Sequence, residues 1–473
     1  MTKFSKERSY MQKIINKMNN PKNKVAYGFL LWSFISIGYL LFVANWGFVV
    51  GLAGNGIDAN GAADAGFLSY FKIVKNAAFD LTNNAANWAI TLGRGIGSVA
   101  VALLLAKFAH KYSTIIAISL TLIGIPAQFM PAAPYGYVLF LILRTFMAIG
   151  GTMLVILTQP VVSAFFGKKQ KSIVSQFGIW FYPLGTIISI LPFVFAGKSS
   201  VVRENWQLIF TILAALNVIP LIIIIIFGSH FDKTTTENQP KQEGFKILGK
   251  YLKSKATYAW VLLYGAWLCA VVFPTTSVSF NIFHDLASIK RNTFDHEIRI
   301  WSVCFLAAVF IAPITIGLWS KTNFKRRWFI GLILFIGIML YALSAVTFIY
   351  GVAKKNVFVS VLFYIFGFLS GLCLWGIQGV MLNMPHEYKN SDPKTIGWMF
   401  SLIWGMGYIF FTVILIGISI IPIAGAKLGG NNYIYSTITF IVLIVVSLSA
   451  ILGAFLLKEP SAQTNEQTKM QTK

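Results

Sequence analysis

Twelve stretches of roughly 20 mostly apolar residues, separated by short polar segments, dominate the sequence and leave it few ways to fold. A bilayer's hydrocarbon core is about 30 Å thick, and a helix rising 1.5 Å per residue needs about 20 residues to cross it. The runs read as residues 27–52, 85–108, 114–129, 137–162, 173–195 and 208–227, then 258–280, 298–319, 328–349, 358–381, 395–423 and 434–457. Inside lipid each backbone amide must be satisfied within its own segment, so runs of this length are expected to be helices. At 56% hydrophobic and only 11% charged, the chain does not have the composition of a water-soluble domain. The expected fold class is therefore all-α integral membrane, with twelve transmembrane helices.

A formal net charge of +24 would ordinarily point to nucleic acid. The placement of the charge argues against that partner. Of 39 Lys and Arg, 27 fall in the N-terminal tail, the C-terminal tail and the loops after even-numbered runs, against 10 in the loops after odd-numbered runs. Cytoplasmic segments carry such an excess, so both termini are expected in the cytoplasm and the protein in the plasma (cell) membrane. The layout this implies is a basic N-tail (1–26), a six-helix bundle (27–227), a cytoplasmic linker (228–257), a second six-helix bundle (258–457) and a C-tail (458–473). Met11, Ile14, Ile15 and Met18 recur at helical spacing, so the N-tail reads either as an amphipathic helix on the anionic leaflet or as a solvated tail. It lacks the short apolar stretch of a cleavable leader, so the first span is expected to direct insertion.

Few chemistries remain for such a chain. Cys269, Cys304 and Cys373 lie far apart in apolar runs, and the five histidines fall in loops or at helix ends, so neither a metal nor a cofactor is expected. The sequence has no GxxxxGK[ST] loop to bind ATP. A membrane enzyme would need acid–base groups within the runs, and a channel a filter loop, and neither is visible. The expected partners are a small solute and the bilayer, with the chain acting as a monomer and not as an enzyme.

The two halves repeat each other. ALLLAKFAHK, from Ala102, ends the second run, and GLWSKTNFKR, from Gly317, ends the eighth; VLFLILRTFMA, from Val138, matches VLFYIFGFLSG, from Val361. On these residues the chain resembles a divergent bacterial member of the major facilitator superfamily, whose loops after spans 2 and 8 carry G-x-L-x-D-R-x-G-R-R. The first copy keeps Ala102, Leu104, Lys107, Phe108 and Lys111, and the second keeps Gly317, Lys325 and Arg326. Ala106 and Lys321 replace the Asp, so a gating salt bridge of the usual pattern is not expected. The span-4 signature, R-x-x-Q-G-x-G, survives as Arg144 followed by Gly150 and Gly151. The resemblance implies two pseudo-symmetric six-helix bundles that rock about a site lined by spans 1, 4, 7 and 10, giving alternating access.

An ionisable group within a span costs about 2.5–3.5 kcal/mol on insertion scales and calls for a functional reason. Arg94 and Arg144 are the candidates, and all fifteen acidic residues fall in expected loops or tails. Asn87, Thr91, Arg94 and Ser98 share one face of span 2, and Gly93 and Gly97 form a GxxxG pair beside them. The planar guanidinium fork suits carboxylate or phosphate, so the arginines are expected to clamp an anion, while Arg144 also reads as the structural arginine of the span-4 signature. Trp32, Tyr39, Trp267, Gln378, Trp404 and Tyr408 complete the candidate site, with helix packing as their alternative role. The function expected is secondary active transport of a small organic or phosphorylated anion. Exchange is favoured, because two uncompensated charges make the empty cavity costly to reorient. The alternative is a carrier of neutral sugars or drugs in which both arginines are structural.

Overall fold

Spans 5 and 8 show how the sequence shapes this fold. Proline removes a backbone donor and its ring collides with the carbonyl four residues back. Pro183 lies four residues beyond Ile179, where the fifth span divides into Lys168–Gly178 and Phe181–Val194. Pro313 lies four beyond Val309, where the helix Asp295–Ala307 gives way to a 3-10 turn, Ala308–Phe310, before the short helix Ile316–Trp319. They were expected as single spans over 173–195 and 298–319, the first with a kinked segment at Pro183 and Gly185 and the second without a break.

The chain is seen here in a computed structural model that describes residues 23–52, 66–74, 79–195, 199–229, 231, 249, 252–289, 293–320, 325–388, 393–427 and 432–460. The amphipathic reading of the N-tail, most of the linker, Lys321 and the C-tail beyond residue 460 fall outside these. The described elements are helices, and ten are long and apolar enough to span a membrane. These are Lys24–Leu52 (span 1), Leu81–Leu105 (2), Lys107–Ala127 (3), Pro134–Phe165 (4), Trp206–Phe227 (6), Lys255–Thr275 (7), Arg326–Val352 (9), Val357–Pro385 (10), Met399–Ile421 (11) and Tyr433–Leu456 (12). The broken spans 5 and 8 complete the twelve-helix, two-bundle fold.

Spans 1 and 7 are innermost: 83% of the apolar window of each is buried, against 28% for span 10. Exposed Ile219, Ile222 and Ile225 on span 6 and Ile441, Val445 and Leu452 on span 12 form faces that only lipid can cover.

Spans 2 and 3 are separate helices, as expected, joined directly through a sharp turn at Ala109, with φ 60° and ψ 173°. Ala109 stands where the superfamily signature has its second glycine, so the turn is kept without the residue that makes it cheap. Elsewhere small residues permit close approach. A Cβ on Gly93 or Gly97 would fall 2.5 Å from the carbonyl oxygens of Thr145 and Ile149, which sets spans 2 and 4 in tight contact. Gly150 and Gly151, kept from the span-4 signature, likewise admit span 3 at the Ala117 carbonyl and span 1 at the Phe42 ring. Across the two halves the approach is looser, a Cβ on Gly95 falling 3.2 Å from the Gly405 carbonyl oxygen on span 11.

Candidate functional site

With twelve spans, both ends of the described chain emerge on one side, here called the termini side. A narrow cavity of about 40 Å³ lies between the halves toward that side. Its wall is built from Trp32, Ser36 and Tyr39 of span 1, Thr158 and Gln159 of span 4, Phe181 and Tyr182 of span 5, Gln378 and Leu382 of span 10 and Trp404 of span 11. The lining expected from the resemblance was spans 1, 4, 7 and 10. Spans 5 and 11 contribute and span 7 does not; Trp267 of span 7 instead donates its Nε1 hydrogen to the Leu374 carbonyl at 2.7 Å.

Contacts between the halves close the opposite side. Ser277 Oγ donates to Asn84 Oδ1 at 2.9 Å, and Thr412 Oγ1 donates to Thr91 Oγ1 at 2.7 Å. The Arg299 guanidinium lies 5.2 Å from the Phe193 ring. In mid-membrane, Tyr182 stacks on Trp375 at 5.1 Å.

Arg94 is not on the cavity wall but behind it, wholly buried against the wall residues Tyr39 and Tyr182. Five rings surround its guanidinium carbon: Tyr39, Phe42 and Trp46 of span 1 at 5.5, 5.8 and 5.1 Å, Tyr182 of span 5 at 5.7 Å, and Tyr408 of span 11 at 4.3 Å. Ring faces attract cations, most strongly where water is excluded. Nη2 donates to the Tyr39 hydroxyl at 2.9 Å, while Nε and Nη1 have no partner. The rest of the polar face of span 2 is engaged: Asn87 accepts from Trp46 Nε1 at 3.2 Å, Thr91 meets Thr412, and the Ser98 hydroxyl donates to the Arg94 carbonyl at 2.8 Å.

Arg144 is placed differently. Its Nη1 donates to Asn45 Oδ1 at 3.0 Å and its Nη2 to the Asn45 carbonyl at 3.4 Å, between the rings of Phe140 and Phe210. All of these partners are in the first half, and none is shared with Arg94, so the two guanidiniums do not converge on one pocket. Trp32, Tyr39, Gln378 and Trp404 meet on the cavity wall, and Tyr408 stands behind it against Arg94.

The residues of the degenerate loops are scattered. Ala102 is buried, Lys107 is exposed beside the Phe108 ring, and Lys111 is half-buried near Gly228. Gly317 borders a smaller cleft between spans 8 and 10, and Lys325 caps span 9. Arg326 forms a two-pronged pair with Glu387 at the end of span 10, with Nε and Nη2 each 2.9 Å from a carboxylate oxygen, and also donates to the Ser320 carbonyl. Glu459 accepts from the Arg326 backbone amide at 2.6 Å. The second loop is thus braced within its own half.

Acidic residues require one correction. Asp285, expected in a loop, is buried in the helix Ser277–Leu286, which prolongs span 7 past its apolar run, and it accepts from Ser436 Oγ at 2.8 Å. Asp295 heads span 8 within 3.5 Å of Arg299 and 3.3 Å of His284. Among the described residues no carboxylate pairs with Arg94 or Arg144. Sequence reasoning missed Tyr182, Gln159 and Asn45. Pro183 was the only local sign of the first, and an Asn in the apolar run of span 1 was the sign of the last.

Two bundles around a cavity open to one side, with a buried charge behind its wall, are the anatomy of a membrane transporter. Known proteins agree. A family model described as Mycoplasma MFS transporter matches residues 140–424. An uncharacterized protein of Mesomycoplasma hyopneumoniae is 41% identical over 96% of both chains, and a major facilitator superfamily transporter of Mycoplasma pneumoniae is 24% identical over 81% of this chain and 84% of its own. Among solved structures, a D-xylose–proton symporter superposes with a TM-score of 0.64 over 92% of this chain and 99% of its own, at 14% identity. The nucleoside transporter NupG gives 0.58 over 90% and 100%, at 15% identity. The protein is a multi-pass membrane transporter with the major facilitator fold, and it belongs to the family of Mycoplasma MFS transporters.

Proposed function

We propose that the chain carries a small organic or phosphorylated anion across the plasma membrane by alternating access, with its termini side cytoplasmic and Arg94 as the anion contact. The observation that carries this reading is the state of Arg94: fully buried, without a carboxylate among the described residues, and with two of its three guanidinium nitrogens unpaired. Unpaired buried donors are expensive, and an anionic solute would satisfy them. Trp32, Tyr39 and Trp404 would flank the solute, and Gln378 would meet its polar end. Arg144, tied to Asn45, is read as scaffold and not as a second prong. Exchange of one anion for another is faster than net uptake, since the loaded carrier compensates the Arg94 charge better than the empty one.

One observation favours a neutral solute instead: no charged side chain is among the residues of the cavity wall itself. Counterflow in proteoliposomes separates the readings. Vesicles loaded in turn with lactate, inorganic phosphate, glycerol 3-phosphate and glucose are tested for accelerated uptake of the same labelled compound. The anion reading expects an anion to give counterflow that Arg94→Gln abolishes and Arg94→Lys restores poorly, because a point charge does not reproduce the planar fork. Counterflow of glucose alone, undiminished in Arg94→Gln, would establish the neutral carrier in its place.

A further inference from the structure

We infer that the cavity is specific for organic anions that also carry a hydroxyl or amine donor, with Gln378 as the residue that reads that donor; this rests on the anion reading of Arg94.

Two unpaired buried polar groups adjoin the cavity, one from each half. Behind the wall residues Tyr39 and Tyr182 stands the guanidinium of Arg94, with Nε and Nη1 unpaired. On the facing half, Gln378 lines the wall, 7% exposed, and its Oε1 is buried with no hydrogen-bond partner. The two sets of unpaired atoms have opposite character: the arginine wants an acceptor and the amide oxygen a donor. Tyr182 links them, since its ring lies 5.7 Å from the Arg94 guanidinium and stacks at 5.1 Å on Trp375, one helical turn before Gln378. A solute with only an acidic group and an alkyl tail would satisfy the first need and bury the second unmet. A hydroxylated acid or polyol phosphate satisfies both. Sites built around a hydrogen bond to a substrate O–H or N–H reject analogues lacking it, because a desolvated protein group is then left unpaired. Gln378 comes from the second half and Arg94 from the first, so such a solute also ties the halves together while bound.

The test uses matched pairs that differ in hydroxyl groups: glycerol 3-phosphate against propyl phosphate, and lactate against propionate, with glucose as the neutral control. Binding is read as the shift in melting temperature of the full chain in detergent across a ligand titration. In the wild-type protein the hydroxylated member of a pair is expected to bind about 10-fold more tightly, equivalent to 1.4 kcal/mol. Gln378→Met, which keeps chain length without the amide, should bring the two members within about 2-fold, and Arg94→Gln should weaken both alike. Gln378→Leu repeats the test if the Met variant melts too low to titrate. Anions that bind through Arg94 without distinguishing the members of either pair, or a preference that survives in both Gln378 variants, would overturn this inference and leave the anion reading standing. Binding of glucose alone, or of none of the five compounds, would overturn both.

Discussion

Removing the ring of Tyr408 should open the carrier on the side away from its termini. Of the five rings around Arg94, Tyr408 is the nearest, at 4.3 Å, and the only one from the second half. When the halves part on that side, Tyr39, Phe42 and Trp46 travel with Arg94, while Tyr408 leaves with span 11. A desolvated cation–π contact contributes about 2 kcal/mol, which corresponds to about 30-fold in an equilibrium. Tyr408→Leu therefore raises the open population of the empty protein about 30-fold, while Tyr408→Phe, which keeps a ring face, changes it about 3-fold or less. Ser277 reports the change, since it is 6% exposed and hydrogen-bonded across the interface to Asn84. In a Ser277→Cys background, the rate of reaction with a water-soluble maleimide in detergent is compared with and without each Tyr408 substitution. Rates for Tyr408→Leu and wild-type Tyr408 within 3-fold of each other would refute the idea that this contact holds the far side shut.

Two further outcomes follow from the scaffold. Ala109 holds a backbone conformation suited to glycine, and such residues cost about 1–3 kcal/mol, so Ala109→Gly should raise the melting temperature; a fall would show that the kink is unstrained. Asn45→Leu leaves Arg144 without its side-chain acceptor, a charge-assisted bond of about 1.5–3 kcal/mol, so the melting temperature should fall while Arg94-dependent solute binding persists in the protein that remains folded. Selective loss of binding with unchanged melting would place Arg144 in the solute site.

Where the spans lie, how many there are and how the halves repeat were legible in the chain, because each depends on local properties: the length of an apolar run and the charge of the next loop. Arg94 and Arg144 were legible for the same reason, since a charge in an apolar run stands out whatever surrounds it. Their different situations were not. Arg144 is tied to Asn45, 99 positions away in sequence, and Arg94 to Tyr39, 55 away, and to Tyr408 in the other half. Helical periodicity fixes which face of a helix a residue occupies but not which neighbour that face meets, and tyrosines and tryptophans pattern alike whether they pack, cage a cation or line a cavity. Only the packing of twelve helices, set by contacts such as Gly95 with Gly405 and Gly97 with Ile149, decided which arginine stands between the halves and which stays inside one. The physical reason is that a buried charge is costly wherever it lies, so the sequence marks it, while its compensation comes from groups brought near only by the fold.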